Sequence, residues 1–246
     1  MGITSMMELL IFLPLTFFVP FPPLEIWYFL IATTILHVLY RLNVIYSYKY
    51  GDLSFVYPIA RGGSSLLIAI FSIIFLTTTI NLYGFLGILI VCLGLFLISF
   101  SSKIKFNKPA FILAVSTAIL IAAYTLVDGV GVRKSLNGFS YIFWLIALNG
   151  VPLLCISIIS KNGLRKRETY SIKSGIAAGI FATLSYGLVV WGMQFIEIAY
   201  VSGIREVSIV IATIISYLFL KEREATSRII PSILIVSGIA IVYFQI

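Results

Sequence analysis

The sequence predicts an all-α polytopic membrane protein, an inverted-repeat helical bundle of nine transmembrane helices arranged as four plus five. Three observations carry that reading. Of 246 residues, 61% are hydrophobic and 11% are charged, whereas soluble domains carry about 25% charged residues. The mean hydropathy is +1.11, which excludes disorder as well, since disordered chains are poor in apolar residues. Finally, the apolar residues gather in long runs, and the order of motifs in the first part of the chain returns in the second.

A hydrocarbon core near 30 Å needs about 20 apolar residues as helix, and the runs lack the strict alternation of barrel strands. Nine segments qualify: 6–20, 26–46, 54–78, 82–100, 110–132, 140–160, 174–195, 200–220 and 229–246. The first contains Pro14 and stops at Pro20, Pro22 and Pro23. With no basic start and no small-residue cleavage site, it reads as a span and not as a signal peptide. The second places His37 about 17 Å into the helix at 1.5 Å per residue, near the midplane. Tyr40 and Arg41 follow three and four positions later, on the same helix face. The third holds Tyr57-Pro58 and Arg61, and the fourth is apolar with Cys92. The fifth ends near Asp128, the sixth carries Cys155, and neither cysteine has metal-ligand spacing. The seventh opens on Gly175-Ile-Ala-Ala-Gly179, a spacing that lets helix backbones approach. The eighth carries Ser202-Gly203, Arg205 and Glu206, and the ninth is apolar to the end.

The formal charge of +8 is placed for a membrane and not for nucleic acid. Connectors on the N-terminal side hold twelve basic residues: Lys49, Lys103, Lys105, Lys108, Lys161, Arg165, Lys166, Arg167, Lys173, Lys221, Arg223 and Arg228. The opposite side holds Arg133 and Lys134. The positive-inside rule makes the first side cytoplasmic.

A shift of about 144 residues lays Tyr57-Pro-Ile-Ala-Arg61 over Val201-Ser-Gly-Ile-Arg205, and Ser64 over Ser208. Segments one to four then match six to nine. An odd number of spans separates the copies, so they run in opposite senses, an arrangement common in secondary transporters. The repeats divide the chain at 1–105 and 106–246 within one integrated membrane domain. The fifth segment has no partner, because its counterpart would fall before Met1. The expectation is an upstream helix or a homodimer that covers the gap.

An ionisable group inside a span costs about 2.5–3.5 kcal/mol on insertion scales. His37 either hydrogen-bonds across a helix interface or handles substrate or protons. Arg61 and Arg205 occupy matched places, and a guanidinium keeps its proton. Each must meet an acid, a carbonyl, water or an anionic ligand; Asp128 and Glu206 are the acids near Arg205, and either is a possible proton site. Tyr57-Pro58 and Ser202-Gly203 mark matched positions for kinked or broken helix. Asp52 and Glu197 flank their helices. No P-loop, zinc helix, Asp-rich pair or nucleophile elbow is present, so the reading includes no enzyme, no metal and no cofactor.

Tyr48-Lys-Tyr-Gly-Asp-Leu-Ser-Phe-Val-Tyr-Pro-Ile-Ala-Arg-Gly62 resembles the fourth-helix entry of EamA-type members of the drug/metabolite transporter superfamily. Tyr124-Thr-Leu-Val-Asp-Gly-Val-Gly-Val-Arg133 is similar to that group's sixth helix. Gly203-Ile-Arg-Glu-Val-Ser208, with Leu220-Lys-Glu222, is similar to its ninth helix and following turn. The resemblance covers most of the chain from about residue 30. It implies a ten-helix, two-repeat basket in a prokaryotic plasma membrane that exports small metabolites or amphipathic compounds by alternating access without ATP. Substrate then binds among His37, Tyr40, Arg41, Tyr57, Arg61, Tyr124 and Arg205. The sequence departs from the family in lacking its first helix, in Ser65 where a proline is expected, and in Thr77-Thr78 at the helix end. A non-transporting or partner-dependent subunit is the alternative.

Overall fold

A computed structural model describes residues 2–76, 80–101, 107–159, 172–215, 217–218 and 228–246. Its helices are α1 (Gly2–Leu15), α2 (Leu24–Tyr50), α3 (Leu53–Phe75), α4 (Leu82–Ser101), α5 (Lys108–Lys134), α6 (Gly138–Ile159), α7 (Ile172–Gly192), α8 (Ile198–Arg205), α9 (Val207–Ile215) and α10 (Ile229–Tyr243). There is no strand among the described residues. Among the described residues seven segments are long and apolar enough to cross a membrane, with α8 and α9 counted as one. The chain is an integral, multi-pass membrane protein. The first and last segments are shorter as helix than the sequence suggests, at 14 and 15 residues. Pro14 lies at the end of α1, and the chain tightens into a 3-10 turn at Thr16–Phe18 before the proline cluster.

Local chemistry sets the helix starts. Asn81, Asn107 and Asn137 each precede a helix, and their side-chain oxygens accept from Gly84 N (2.7 Å), Ala110 N (3.4 Å) and Ser140 N (3.1 Å). That is the Asn N-cap, which satisfies an otherwise orphaned N–H. Pro58 and Pro152 lie inside α3 and α6 without ending them, as membrane helices tolerate. The Lys103, Lys105, Lys161, Arg165–Arg167, Lys221 and Arg223 basic positions lie outside the described residues, as do Thr77-Thr78 and Leu220-Lys-Glu222.

By packing, the chain forms two compact units, Met1–Val38 with Val127–Phe195, and Leu39–Leu126 with Ile196–Ile246. This is a grouping by contact and is distinct from the repeat boundary. In the first unit α1 packs on α6 and α7. Gly179 sits 3.3 Å (measured from an ideal Cβ) from Met7 and Thr4, so the small-residue spacing on α7 serves packing there. Phe21, Trp27 and Trp144 form a ring cluster with centroids 5.3–5.4 Å apart.

In the second unit the most extensive pairing is α4 with α10. Val91, Leu95 and Ile98 of α4 meet Ile235 of α10 and Ile209 and Val210 of α9. Gly87 and Gly238 bring the two backbones together, and a Cβ at Gly238 would stand 2.6 Å from Gly87 O. A second core joins Phe55, Val56 and Ile59 of α3 to Ala110 and Ala114 of α5.

Candidate functional site

The eighth segment is a broken helix. α8 ends at Arg205, Glu206 forms a turn, and α9 starts at Val207. Glu206 N bonds to Gly203 O at 3.1 Å, and Ile209 N to Glu206 O at 3.0 Å, which closes α8 and opens α9. Arg205 therefore stands at the negative end of one helix dipole and Glu206 at the positive end of the next, where each charge is favoured. The sequence places the interruption at Ser202-Gly203; it lies three residues further on. Its matched site, Tyr57-Pro58, is continuous helix.

Glu206 is fully buried and gathers the polar groups of this unit. Arg61 Nε donates to its Oε2 at 3.1 Å, and Ser65 Oγ donates to its Oε1 at 3.4 Å. Arg205 Nε lies 3.8 Å from Oε1, an ion pair too long for a hydrogen bond. Ser65 and Ser202 hydroxyls are 3.2 Å apart. The Arg61, Arg205 and Glu206 side chains are 15%, 9% and 0% exposed. Arg61 and Arg205, the two arginines aligned by the sequence shift, thus share one carboxylate. Of the two acids near Arg205 in sequence terms, Glu206 is the partner.

Aromatic rings surround Arg61. Its guanidinium carbon is 5.8 Å from the Tyr57 ring centre, and Tyr124 and Tyr40 stand close enough to interact with it electrostatically. Tyr40 and Tyr124 meet edge to face at 5.4 Å. A cavity of about 310 Å³ opens beside Tyr57, Pro58, Ser208, Ala212 and Thr213, large enough for a small metabolite. Arg41 is half-buried on α2. Below these groups Asn43 Nδ2 ties α2 to α5 through Leu113 O (3.0 Å), Ser116 Oγ (2.8 Å) and Thr117 Oγ1 (2.7 Å).

The first unit holds a second buried cluster, around Asp128. Tyr141 Oη donates to Asp128 Oδ1 at 3.0 Å, Tyr186 Oη donates to Oδ2, and His37 Nε2 lies 3.5 Å from Oδ2. Asp128 and Tyr141 are 0% exposed. His37 and Tyr186 rings meet edge to face at 5.3 Å. Gly131, one turn after Asp128, makes room for the Tyr141 ring: a Cβ there would lie 2.5 Å from the phenolic oxygen. Asp128 is therefore a core residue and not an interfacial one, despite its place near the helix end. His37, Tyr40 and Arg41 share a face by spacing, yet His37 contacts Asp128 while Tyr40 contacts Tyr124.

Sequence reasoning missed Ser65 as a ligand of Glu206, with Ser202 bonded to Ser65 behind it, and Tyr141 and Tyr186 as ligands of Asp128. For Ser65 a signal existed: a hydroxyl stands where the family pattern has a proline. Asp52 and Glu197 do flank helices, preceding α3 and α8. Among the described residues no group of three or more His, Cys, Asp or Glu side chains is placed to hold a metal ion.

The family model described as the EamA-like transporter family matches residues 108–244, more than half of the chain. A solved crystal structure shares 14% identity, aligns over 100% of this chain and 88% of its own, and superposes with a TM-score of 0.75. At that identity the likeness speaks for the fold alone. No curated protein matches the sequence.

Proposed function

The chain belongs to the EamA-like transporter family, membrane transporters of the drug/metabolite type, and on that premise we propose that it is a secondary transporter that exports small metabolites or amphipathic compounds across a prokaryotic plasma membrane. One observation carries the reading: a buried cluster of two guanidiniums and a carboxylate beside an interrupted membrane helix. Intramembrane ionisable groups mark substrate or ion pathways, and broken helices supply the binding site in many transporters. Movement follows alternating access between inverted repeats.

In this reading Arg61 and Arg205 provide the positive field of the site, and Tyr40, Tyr57 and Tyr124 provide aromatic surface. Arg41 contributes a polar group on α2, and His37 acts in the first unit beside Asp128. Coupling to protons belongs to Asp128 and not to Glu206. Glu206 is matched by two permanent cations, whereas Asp128 is held by two phenols and an imidazole.

Reconstitution tests this. Proteoliposomes loaded with a defined mixture of metabolites, analysed by mass spectrometry of the external medium, should release a subset faster than protein-free liposomes, and Arg61→Gln should abolish the difference. Release that matches protein-free liposomes across a broad mixture, with correctly folded protein, would overturn the transport reading.

A further inference from the structure

We propose that the Arg61–Glu206–Arg205 cluster is a receptor for one oxyanion, the carboxylate of an amphipathic monoanion, held by Arg205. The inference rests on the transport reading for its biological meaning, since it names the class of substrate for that site. It begins with a charge count. Two guanidiniums and one carboxylate leave a net charge of +1 among side chains that are 0–15% exposed. An unbalanced charge in a membrane interior is costly, and a bound monoanion brings the total to zero.

Hydrogen bonding shows which group is waiting. Arg61 Nε and Ser65 Oγ already occupy the two oxygens of Glu206 at 3.1 and 3.4 Å. Arg205 Nε and Nη2 are buried without any hydrogen-bond acceptor, although the side chain is 9% exposed. A guanidinium has a fixed fork of donors whose geometry matches a carboxylate. Buried donors are paired in nearly all proteins, so an unpaired pair on one guanidinium points to a missing acceptor. The helix break puts this group where backbone regularity has already been given up.

The surroundings select the rest of the ligand. Tyr57, Tyr40 and Tyr124 around Arg61 suit an apolar or aromatic body, and beside Tyr57 lies the cavity of about 310 Å³, whose lining includes Arg228 but not Arg61 or Arg205. A zwitterion such as phenylalanine is disfavoured, because its ammonium would meet a cluster whose one acid is already engaged. A doubly charged phosphate ester would overshoot the charge.

The test uses the whole protein in lipid nanodiscs at pH 7 with four probes of similar size: phenylacetate, its neutral analogue phenylacetamide, phenylalanine and phenyl phosphate, each titrated by calorimetry. Phenylacetate should bind, with phenylacetamide about 30-fold weaker or more, the scale expected when a buried charge loses its partner. Arg205→Gln should weaken phenylacetate by a similar factor and leave phenylacetamide unchanged, with Arg205→Lys between the two. Equal binding of acid and amide would overturn the proposal and show a guanidinium satisfied by water. Unchanged phenylacetate affinity in Arg205→Gln, tighter binding of phenylalanine or phenyl phosphate, or no phenylacetate binding at all would also overturn it. If Arg205→Gln does not fold, the acid–amide pair on the unmodified protein decides. Transport is measured separately. Phenylacetate that binds but is not moved removes the transport reading and keeps the site; flux of neutral compounds without anion binding does the reverse.

Discussion

Replacing Glu206 by Gln removes one negative charge and almost no volume, yet its cost should greatly exceed that of Arg205→Gln. In the native cluster both guanidiniums face one carboxylate, at 3.1 and 3.8 Å. At an effective dielectric near 20, opposite charges about 4 Å apart attract by about 4 kcal/mol. Glu206→Gln loses both attractions and leaves two buried cations facing each other, so the expected cost is about 3–5 kcal/mol. That is a large part of a domain's usual stability of about 5–15 kcal/mol. Arg205→Gln instead leaves Arg61 and Glu206 as a balanced pair and removes a guanidinium whose Nε and Nη2 have no acceptor. Its cost should stay well below that of Glu206→Gln, because the lost attraction is offset by the removal of a buried guanidinium with two unpaired donors. Thermal unfolding of both variants in detergent, followed by circular dichroism, compares them directly. The triple variant Arg61→Gln, Arg205→Gln, Glu206→Gln should recover most of the loss, since neutral replacement of a buried ion cluster is often tolerated. Equal melting temperatures for Glu206→Gln and Arg205→Gln would refute the charge argument.

Three further outcomes are expected. Gly238→Val should lower stability by about 1–3 kcal/mol through overpacking, because its Cβ would meet Gly87 O at 2.6 Å, whereas Gly203→Ala, with Ile88 at 3.6 Å, should melt like the native protein. Asp128→Asn should slow transport driven by an imposed pH gradient, and Tyr141→Phe should cost about 1–3 kcal/mol by taking one donor from the buried carboxylate; a gradient-driven rate unchanged in Asp128→Asn would remove the proton role. For topology, Leu136→Cys, at a site 94% exposed, should react with an impermeant thiol reagent in intact cells while Asp52→Cys does not. Asp52 is exposed and makes no side-chain cap bond, and the exposed Cys155 must first become Ser. The opposite labelling pattern would invert the assigned orientation.

The helices were legible because the membrane imposes one rule, backbone self-satisfaction over a fixed depth, and Asn and Pro mark where it starts and stops. Asn81, Asn107 and Asn137 are visible as caps in the sequence alone. The meeting of Arg61 with Glu206 was less visible. The sequence register lays Arg61 over Arg205, and nothing in the spacing says that both turn toward Glu206. The helix break illustrates the same limit: Ser202-Gly203 is the weak place by composition, but the turn forms at Glu206, where a buried carboxylate gathers donors from α3 and α8. Tyr141 and Tyr186 lie 13 and 58 residues from Asp128. In apolar runs rich in tyrosine, such partners become evident only when the helices are packed.

The unequal helix lengths have a consequence for the surrounding lipid. α2 and α5, at 27 residues each, reach about 40 Å, whereas α1 and α10, at 14 and 15 residues, reach about 21–22 Å. A hydrocarbon layer of about 30 Å is too thin for the first pair and too thick for the second. The long helices place Lys49, Lys108 and Lys134 at their ends, where flexible cationic side chains extend into the headgroups. Next to the short ones, aromatic residues outside the α-helices continue the apolar surface: Phe17, Phe18 and Phe21 after α1, and Phe244 after α10, are 67–85% exposed. At each short helix the bilayer therefore meets exposed aromatic rings and not a bare helix end. Bilayer thickness then acts on each short helix by itself, drawing its rings deeper or releasing them, and lipids that differ by a few carbons in chain length become a lever on how tightly α1 and α10 are seated.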